Sequence, residues 1–212
     1  MKTTVCCAFF LLTSFCAGGA DSAVTIGGSV LRSPPQYQSN SFFAFTPTFD
    51  EAFPFRAIPG DGWTIESLRV PLYHYQGMAG DRAAFSILSD DAGTPGSTVA
   101  TFSVSGITTE SHIYSIAPSF VAGPLQGDTT YWLVGSNPTW GQVNWNLEWD
   151  TFYDAERAYR VDGGDWVVQS GLANVSAFAI EGSAVPEPSS IVLLGIGGIG
   201  LLAYAWRKRR IA

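Results

Sequence analysis

Residues 143–149 read Val-Asn-Trp-Asn-Leu-Glu-Trp, with apolar and polar side chains in strict alternation. This period of two predicts a β-strand with one face in a core, because successive side chains point to opposite faces. Val143, Trp145, Leu147 and Trp149 would share the buried face. The polar residues between them would then face solvent.

Comparable apolar segments recur along residues 21–184, separated by clusters of Gly, Pro, Asp and Ser. The alternation is clear again in Thr64–Val70, and turn signals occur at Ser89–Gly96 and Asp162–Asp165. The spacing predicts an all-β fold, an antiparallel β-sandwich domain with jelly-roll-like connections. The predicted strands are Val24–Leu31, Phe42–Phe45, Thr64–Tyr73, Ala83–Ser89, Thr98–Val104, His112–Ile116, Thr130–Gly135, Gln142–Trp149, Arg157–Val161, Trp166–Gln169 and Asn174–Glu181.

The 212-residue chain is 14% charged and 46% hydrophobic, with a formal net charge of −7. Few charges and many aromatic residues exclude an intrinsically disordered chain. Residues 21–184 contain six arginines, no lysine and 17 acidic residues, so this region carries a net charge of −11. Such an acidic domain is a poor partner for nucleic acid, which binds basic surfaces. The other basic residues lie near the two ends, as in chains that are targeted to a membrane.

Residues 1–20 have the three parts of a secretory signal peptide. Lys2 supplies a positive charge, an apolar stretch follows over Val5–Phe15, and small residues offer a cleavage site after Gly19 or Ala20. All three cysteines of the chain lie within residues 1–20. We therefore expect an exported mature domain without a disulfide, a thiol nucleophile or a cysteine metal ligand.

Residues 191–206 carry no charge and precede a basic cluster of Arg207, Lys208, Arg209 and Arg210. A helix of that length reaches about 24 Å, close to the roughly 30 Å of hydrocarbon in a bilayer. Basic residues that follow an apolar span stop its transfer and stay in the cytoplasm. The sequence therefore predicts one C-terminal transmembrane helix with the preceding domain on the exported side.

Val185-Pro186-Glu187-Pro188, the Gly-rich apolar span and the basic cluster follow one another over residues 185–210. In this order and with these lengths they resemble the PEP-CTERM protein-sorting signal of Gram-negative bacteria. The resemblance implies recognition by exosortase, a membrane protease or transpeptidase that cuts near Pro186-Glu187-Pro188 and leaves the span behind. It also implies a place in the envelope or biofilm matrix, since bacteria with this system usually make exopolysaccharide.

The chemistry of the motif suits such an enzyme. Proline locks φ, lacks an N–H and pushes the residue before it toward an extended conformation. We therefore expect residues 185–188 to form an extended strip that a protease can bind without unfolding a domain.

A second resemblance covers most of residues 25–182. Phe85–Gly96, Leu125 and Thr130–Val134 look like the choice-anchor R type of bacterial surface domain. The resemblance implies an extracellular β-sandwich and no known activity.

We predict no catalytic residue, no metal ligand and no cofactor in the central domain. Two alternatives stay open because carboxylates are plentiful. They are Ca²⁺, which takes oxygen ligands from loops, and a glycosidase pair of carboxylates. The carboxylates concerned are Asp90, Asp91, Glu148, Asp150, Asp154 and Glu156.

A third alternative is a glycan contact formed by Trp140, Asn144, Asn146 and Glu148. An aromatic ring can pack on the C–H groups of a sugar while polar neighbours bind its hydroxyls. The alternation favours the plainer interpretation, in which Trp145 fills the core and the polar residues face water. Trp140 is the strongest candidate for an exposed aromatic residue.

The sequence as a whole predicts an exported bacterial surface or biofilm-matrix protein with a non-enzymatic structural role. Its expected partners are exosortase, exopolysaccharide and, before processing, the membrane. A carbohydrate-binding module for exopolysaccharide is one alternative, and a secreted hydrolase is the other.

Overall fold

A computed structural model of the chain describes residues 23–28, 42–74, 82–138, 142–146, 155–172, 176–185 and 188–211. The predicted signal peptide lies outside these residues and stays a prediction. The described elements, in chain order, are β1 (Val24–Gly28), β2 (Phe42–Phe45), β3 (Phe49–Arg56), β4 (Trp63–His74), β5 (Ala83–Asp91), β6 (Thr94–Val104), β7 (His112–Ile116), β8 (Pro118–Val121), β9 (Thr130–Ser136), β10 (Val143–Asn146), β11 (Ala155–Val161), β12 (Val167–Leu172), β13 (Ala179–Ala184) and α1 (Pro188–Ile211).

The strands form two antiparallel sheets. A six-stranded sheet has the order β1-β13-β4-β10-β2, with β7 also paired to β4. A seven-stranded sheet has the order β12-β11-β3-β9-β5-β6-β8. Buried side chains from both sheets form one apolar core, so the predicted antiparallel β-sandwich is confirmed. Its jelly-roll-like description stays a prediction.

Trp145 of β10 joins the two sheets. Its ring meets Phe53 and Phe85 of the seven-stranded sheet edge-on, at centroid distances of 5.4 and 5.3 Å. The indole Nε1 donates to the carbonyl oxygen of Ala177 at 2.8 Å, so the one polar atom of this buried side chain is satisfied. The alternation thus predicts the buried positions of Val143 and Trp145 correctly, whereas Leu147 and Trp149 lie outside the described residues.

Strand β4 changes partner along its length, and Pro71 lies at the change. β13 pairs with β4 up to Arg69, and β10 takes over from Leu72. β7 pairs with Leu68–Leu72 and therefore lies along the opposite edge. Proline has no N–H to donate to a neighbouring strand. Because Pro71 lies between the residues that pair with β13 and those that pair with β10, its missing donor breaks no hydrogen bond to either strand.

Strand β3 lies inside the seven-stranded sheet, yet the sequence analysis did not predict it. Its residues Glu51, Phe53 and Phe55 share the inner face, so a charge interrupts the apolar pattern. Pro54 further weakens the strand signal. β11 pairs with β3 only as far as Ala52, which leaves room for a proline beyond that point. The short edge strand β8 was also missed.

The two predicted turns are both present, and the first is tighter than expected. β5 and β6 run through most of Ser89–Gly96 and meet at Ala92 and Gly93, whose φ values are 52° and 87°. Two successive positive φ values are typical of a type I′ hairpin. The β11–β12 hairpin turns at Asp162 and Gly163, with φ values of 51° and 69°.

Asp90 holds the β5–β6 turn against a neighbouring strand. One carboxylate oxygen accepts from the backbone N–H of Gly93 at 3.1 Å, and the other accepts from Nε1 of Trp132 at 2.7 Å. Trp132 lies in a small apolar cluster with Ala52, Leu88, Val134 and Ala158 on the outer face of the seven-stranded sheet. The Asp90 carboxylate therefore provides the acceptor for the buried Nε1 of Trp132 and also stabilises the β5–β6 turn.

We expect Trp145→Ala to lower the free energy of unfolding by about 3–5 kcal/mol, because it leaves a cavity between the sheets. Trp145→Phe should lower it by about 1–3 kcal/mol, because the carbonyl oxygen of Ala177 loses its donor. Denaturant unfolding of the full chain in detergent, followed by near-UV circular dichroism, measures both. Val161→Ala, at a half-exposed surface position, is the control. An unchanged midpoint for Trp145→Ala would show that the sheets do not depend on this ring.

We expect Asp90→Ala to destabilise the domain by about 1–3 kcal/mol, because Nε1 of the buried Trp132 loses its acceptor. Asp91→Ala is the matched control, since the neighbouring Asp91 uses its backbone oxygen and not its carboxylate to accept from Thr94. This control should stay within about 0.5 kcal/mol of the unmodified chain. The same unfolding assay compares the two, and equal effects would contradict the role assigned to Asp90.

Candidate functional site

Strand β13 carries the chain from the sandwich directly into the C-terminal segment. It pairs with β1 on one edge and with β4 on the other, and its last residue, Ala184, lies opposite Trp63. Glu181 strengthens this pairing, because its carboxylate accepts from Ser67 at 2.8 Å and from Arg69 at 3.0 Å. The described pairing with β1 reaches Gly182, and Ser183 and Ala184 continue the pairing with β4.

The first residue after β13 is also held. The backbone N–H of Val185 donates to the carbonyl oxygen of Gly62 at 3.0 Å, a contact that we call the Gly62 clamp. Beside it, Trp63 and Leu125 exchange two backbone hydrogen bonds of 2.8 and 2.9 Å. Val185 thus continues the hydrogen bonding between β13 and the β4 side of the sheet for one residue past the end of β13.

The loop that carries Gly62 packs closely on the loop before β9. Ala57 donates to Thr129 at 3.0 Å and accepts from Asp128 at 3.1 Å. A Cβ at Gly127 would collide with the backbone of Gly60, so glycine is required for this close approach. The acceptor of the clamp is therefore presented by a tightly packed surface.

The predicted sorting motif spans the end of this surface. Pro186 and Glu187 lie outside the described residues, and Pro188 is the first residue of α1. Proline is favoured at the start of a helix, where its missing N–H has no partner to lose. Only two residues of the chain thus separate the clamped Val185 from the helix.

Helix α1 presents apolar side chains that do not pack on the sandwich. Ile199 and Leu202 are 70% and 73% exposed, and residues 195–209 are exposed throughout. The cluster Arg207, Lys208, Arg209 and Arg210 lies in the last turns, where positive charge suits the helix dipole. Within the part of the chain that the structure describes, no helix has the length and hydropathy of a membrane span. The transmembrane role of residues 191–206 stays a prediction.

Of the four residues predicted as a glycan contact, only Asn144 and the backbone of Asn146 lie within the described residues, so the contact stays a prediction. Trp140 and Glu148 lie outside the described residues, and only the backbone of Asn146 is described, on β10. Asn144 is fully buried instead of facing solvent as the alternation predicted. Its Oδ1 accepts from Gln142 at 3.0 Å, whereas its Nδ2 has no hydrogen-bond partner.

The described carboxylates do not gather into a cation site. Among the described residues there is no group of three or more His, Cys, Asp or Glu side chains that could hold a metal. Asp90 uses both oxygens in the turn contacts given above. Asp150 and Asp154 lie outside the described ranges, as does Glu148, so a Ca²⁺ site in that segment stays an untested alternative.

A buried carboxyl group that the sequence pattern did not indicate lies on the inner face of β3. The Glu51 carboxylate is 2% exposed and accepts from Nη1 of Arg157 at 2.9 Å. Two other nitrogens of Arg157 donate to Oε1 of Gln169, and the second oxygen of Glu51, Oε2, has no hydrogen-bond partner. Burial raises the pKa of the Glu51 carboxyl to about 8, although the charge and the hydrogen bond of Arg157 pull it down.

We expect the pKa of Glu51 to make stability depend on pH. The folded protein holds the proton of the Glu51 carboxyl more tightly than the unfolded chain does. The stabilisation that this proton gives is therefore complete below about pH 4.5 and is lost as the pH rises toward 8. The free energy of unfolding should fall by about 1 kcal/mol per pH unit in that window. Glu51→Gln should flatten the dependence, which thermal unfolding of the full chain between pH 5 and 8 measures.

Glu66→Gln is the matched control for that experiment, because Glu66 is exposed on β4. It should leave the pH dependence of the unmodified chain unchanged. Equal slopes for the unmodified chain and Glu51→Gln would show that Glu51 is already ionised at neutral pH.

Comparison with known proteins assigns the C-terminal segment. Residues 184–210 match the family described as the PEP-CTERM protein-sorting motif. No curated protein matches the chain. The resemblance of the middle domain to the choice-anchor R type therefore stays a prediction. The match begins at the last residue of β13, where the sandwich ends. The chain thus carries a PEP-CTERM sorting motif, which indicates export and processing by exosortase.

Proposed function

We propose that this chain is an exported bacterial surface or matrix protein, with a non-enzymatic structural domain that exosortase releases from a C-terminal anchor. One observation carries the proposal. The match to the sorting motif covers residues 184–210 and starts where the last strand of the sandwich ends. The described domain and the sorting segment therefore meet at one residue.

The proposed topology follows from the distribution of charge and hydropathy. Residues 1–20 direct export, and residues 191–206 cross the inner membrane as a helix without a charge. The basic residues 207–210 stay on the cytoplasmic side. The exposed apolar side chains of α1 support this arrangement, because a lipid environment would cover them.

The proposed structural role of the sandwich is supported by the use of its described charges. Arg157 pairs with Glu51, Arg69 pairs with Glu181, and Arg160 pairs with Asp50 at 2.7 Å. The guanidinium of Arg160 also lies 4.7 Å from the centre of the Trp166 ring. Each contact joins neighbouring strands or secures a hairpin, so these groups serve the stability of the fold.

We expect replacement of Pro186, Glu187 and Pro188 by alanine to leave a full-length, membrane-bound precursor, because the enzyme loses the extended acidic strip that it recognises. Immunoblots of membrane and surface fractions from the producing bacterium measure the precursor and the mature form. Asp165→Ala, in the exposed β11–β12 turn, is the surface control and should mature normally. Normal maturation of the triple variant would contradict exosortase sorting through this motif.

A further inference from the structure

The Gly62 clamp limits how much of the sorting segment is available to an enzyme. Val185 donates its N–H to Gly62 at 3.0 Å, and Ala184 before it is paired with Trp63. Pro188 already belongs to α1. Three peptide steps join the Cα atoms of Val185 and Pro188, a reach of at most about 11 Å.

A protease binds the segment that it cuts in an extended form and makes hydrogen bonds along its backbone. Two intervening residues are short for such a site, because Val185 is hydrogen-bonded to Gly62 and Pro188 belongs to α1. The segment can lengthen at either end, by unwinding of the first turn of α1 or by release of Val185. Unwinding the first turn of α1 would break several backbone hydrogen bonds, whereas release of Val185 breaks one.

Release cannot extend far into the sandwich. Strand β13 is paired on both edges, and Ile180 within it is fully buried. Peeling the strand would therefore open the core, but releasing Val185 would not. The clamp is the outermost described contact of this junction, so it opens before the pairs of Ala184 and Ser183 with β4.

We propose that the Gly62 clamp regulates sorting: exosortase engages Val185-Pro186-Glu187-Pro188 only after the N–H of Val185 has left the carbonyl oxygen of Gly62. The inference rests on the proposed function, since it concerns the same processing step. The folded sandwich thereby slows its own release, and Gly62 becomes a positioning residue for a reaction that occurs at the neighbouring motif.

The first test lengthens the strip without touching the clamp. An Ala-Val pair inserted after Val185 keeps a valine before Pro186 and leaves the original Val185 bound to Gly62. Pulse–chase labelling of the full chain in the producing bacterium measures conversion of precursor to mature form. We expect conversion to be about two- to tenfold faster, which corresponds to the loss of one hydrogen bond from the barrier. The same Ala-Val pair inserted after Gly163, in the β11–β12 turn, is the control and should leave the rate unchanged.

The second test locks the clamp. A Cβ placed on Gly62 would lie 3.6 Å from Cγ2 of Val185, so side chains at the two positions would be neighbours. Because the φ of Gly62 is 157°, a side chain there is strained, and Gly62→Cys alone is a second control. Gly62→Cys combined with Val185→Cys should therefore give an oxidised chain that is processed at least about tenfold more slowly. A reductant should restore the rate, and Val185→Cys alone should behave like the unmodified chain.

The outcomes separate this inference from the proposed function. If the alanine variant of Pro186, Glu187 and Pro188 matures normally, exosortase does not read this motif, and both ideas fail. If that variant is blocked but the insertion and the disulfide leave the rate unchanged, the proposed function stands and the clamp has no regulatory role. Faster processing of the insertion variant together with reversible slowing by the disulfide supports the clamp.

Discussion

The contact of Trp145 with both sheets is the interaction on which the rest of the domain depends. Its ring lies between β10 and the strands that carry Phe53 and Phe85, and its indole N–H is bonded to Ala177. Without cysteine outside residues 1–20, the exported domain has no disulfide to hold the sheets together. Burial of large aromatic side chains therefore supplies the attachment between sheets.

That attachment fixes the place where the chain leaves the sandwich. Ala177 and Phe178, which contact Trp145, directly precede β13. β13 is then paired on both edges and ends against Trp63, so the packing of the core determines the position of Val185. The sorting motif begins at this fixed point. Folding of the domain and presentation of the motif are thus parts of one arrangement.

Much of the sandwich could be predicted from local alternation, and the exceptions have physical causes. β3 was missed because Glu51 occupies an inner position, which becomes acceptable only beside Arg157, a residue 106 positions away. Asn144 was expected to face solvent but is buried, because alternation identifies two faces and does not say whether the second is covered. The alternation expected over Thr64–Val70 is broken at Glu66 by a bulge, since the pairing with β13 passes from Ile65 to Ser67.

The sorting motif could be recognised from residues 185–210 alone, whereas the Gly62 clamp could not, because it depends on the register between β13 and β4. The central claim is that the mature protein ends where the sandwich ends. The intact mass of the protein recovered from the cell surface tests it most directly. We expect a mass that places the C-terminus within residues 185–188. A mass that still includes α1 would contradict the account.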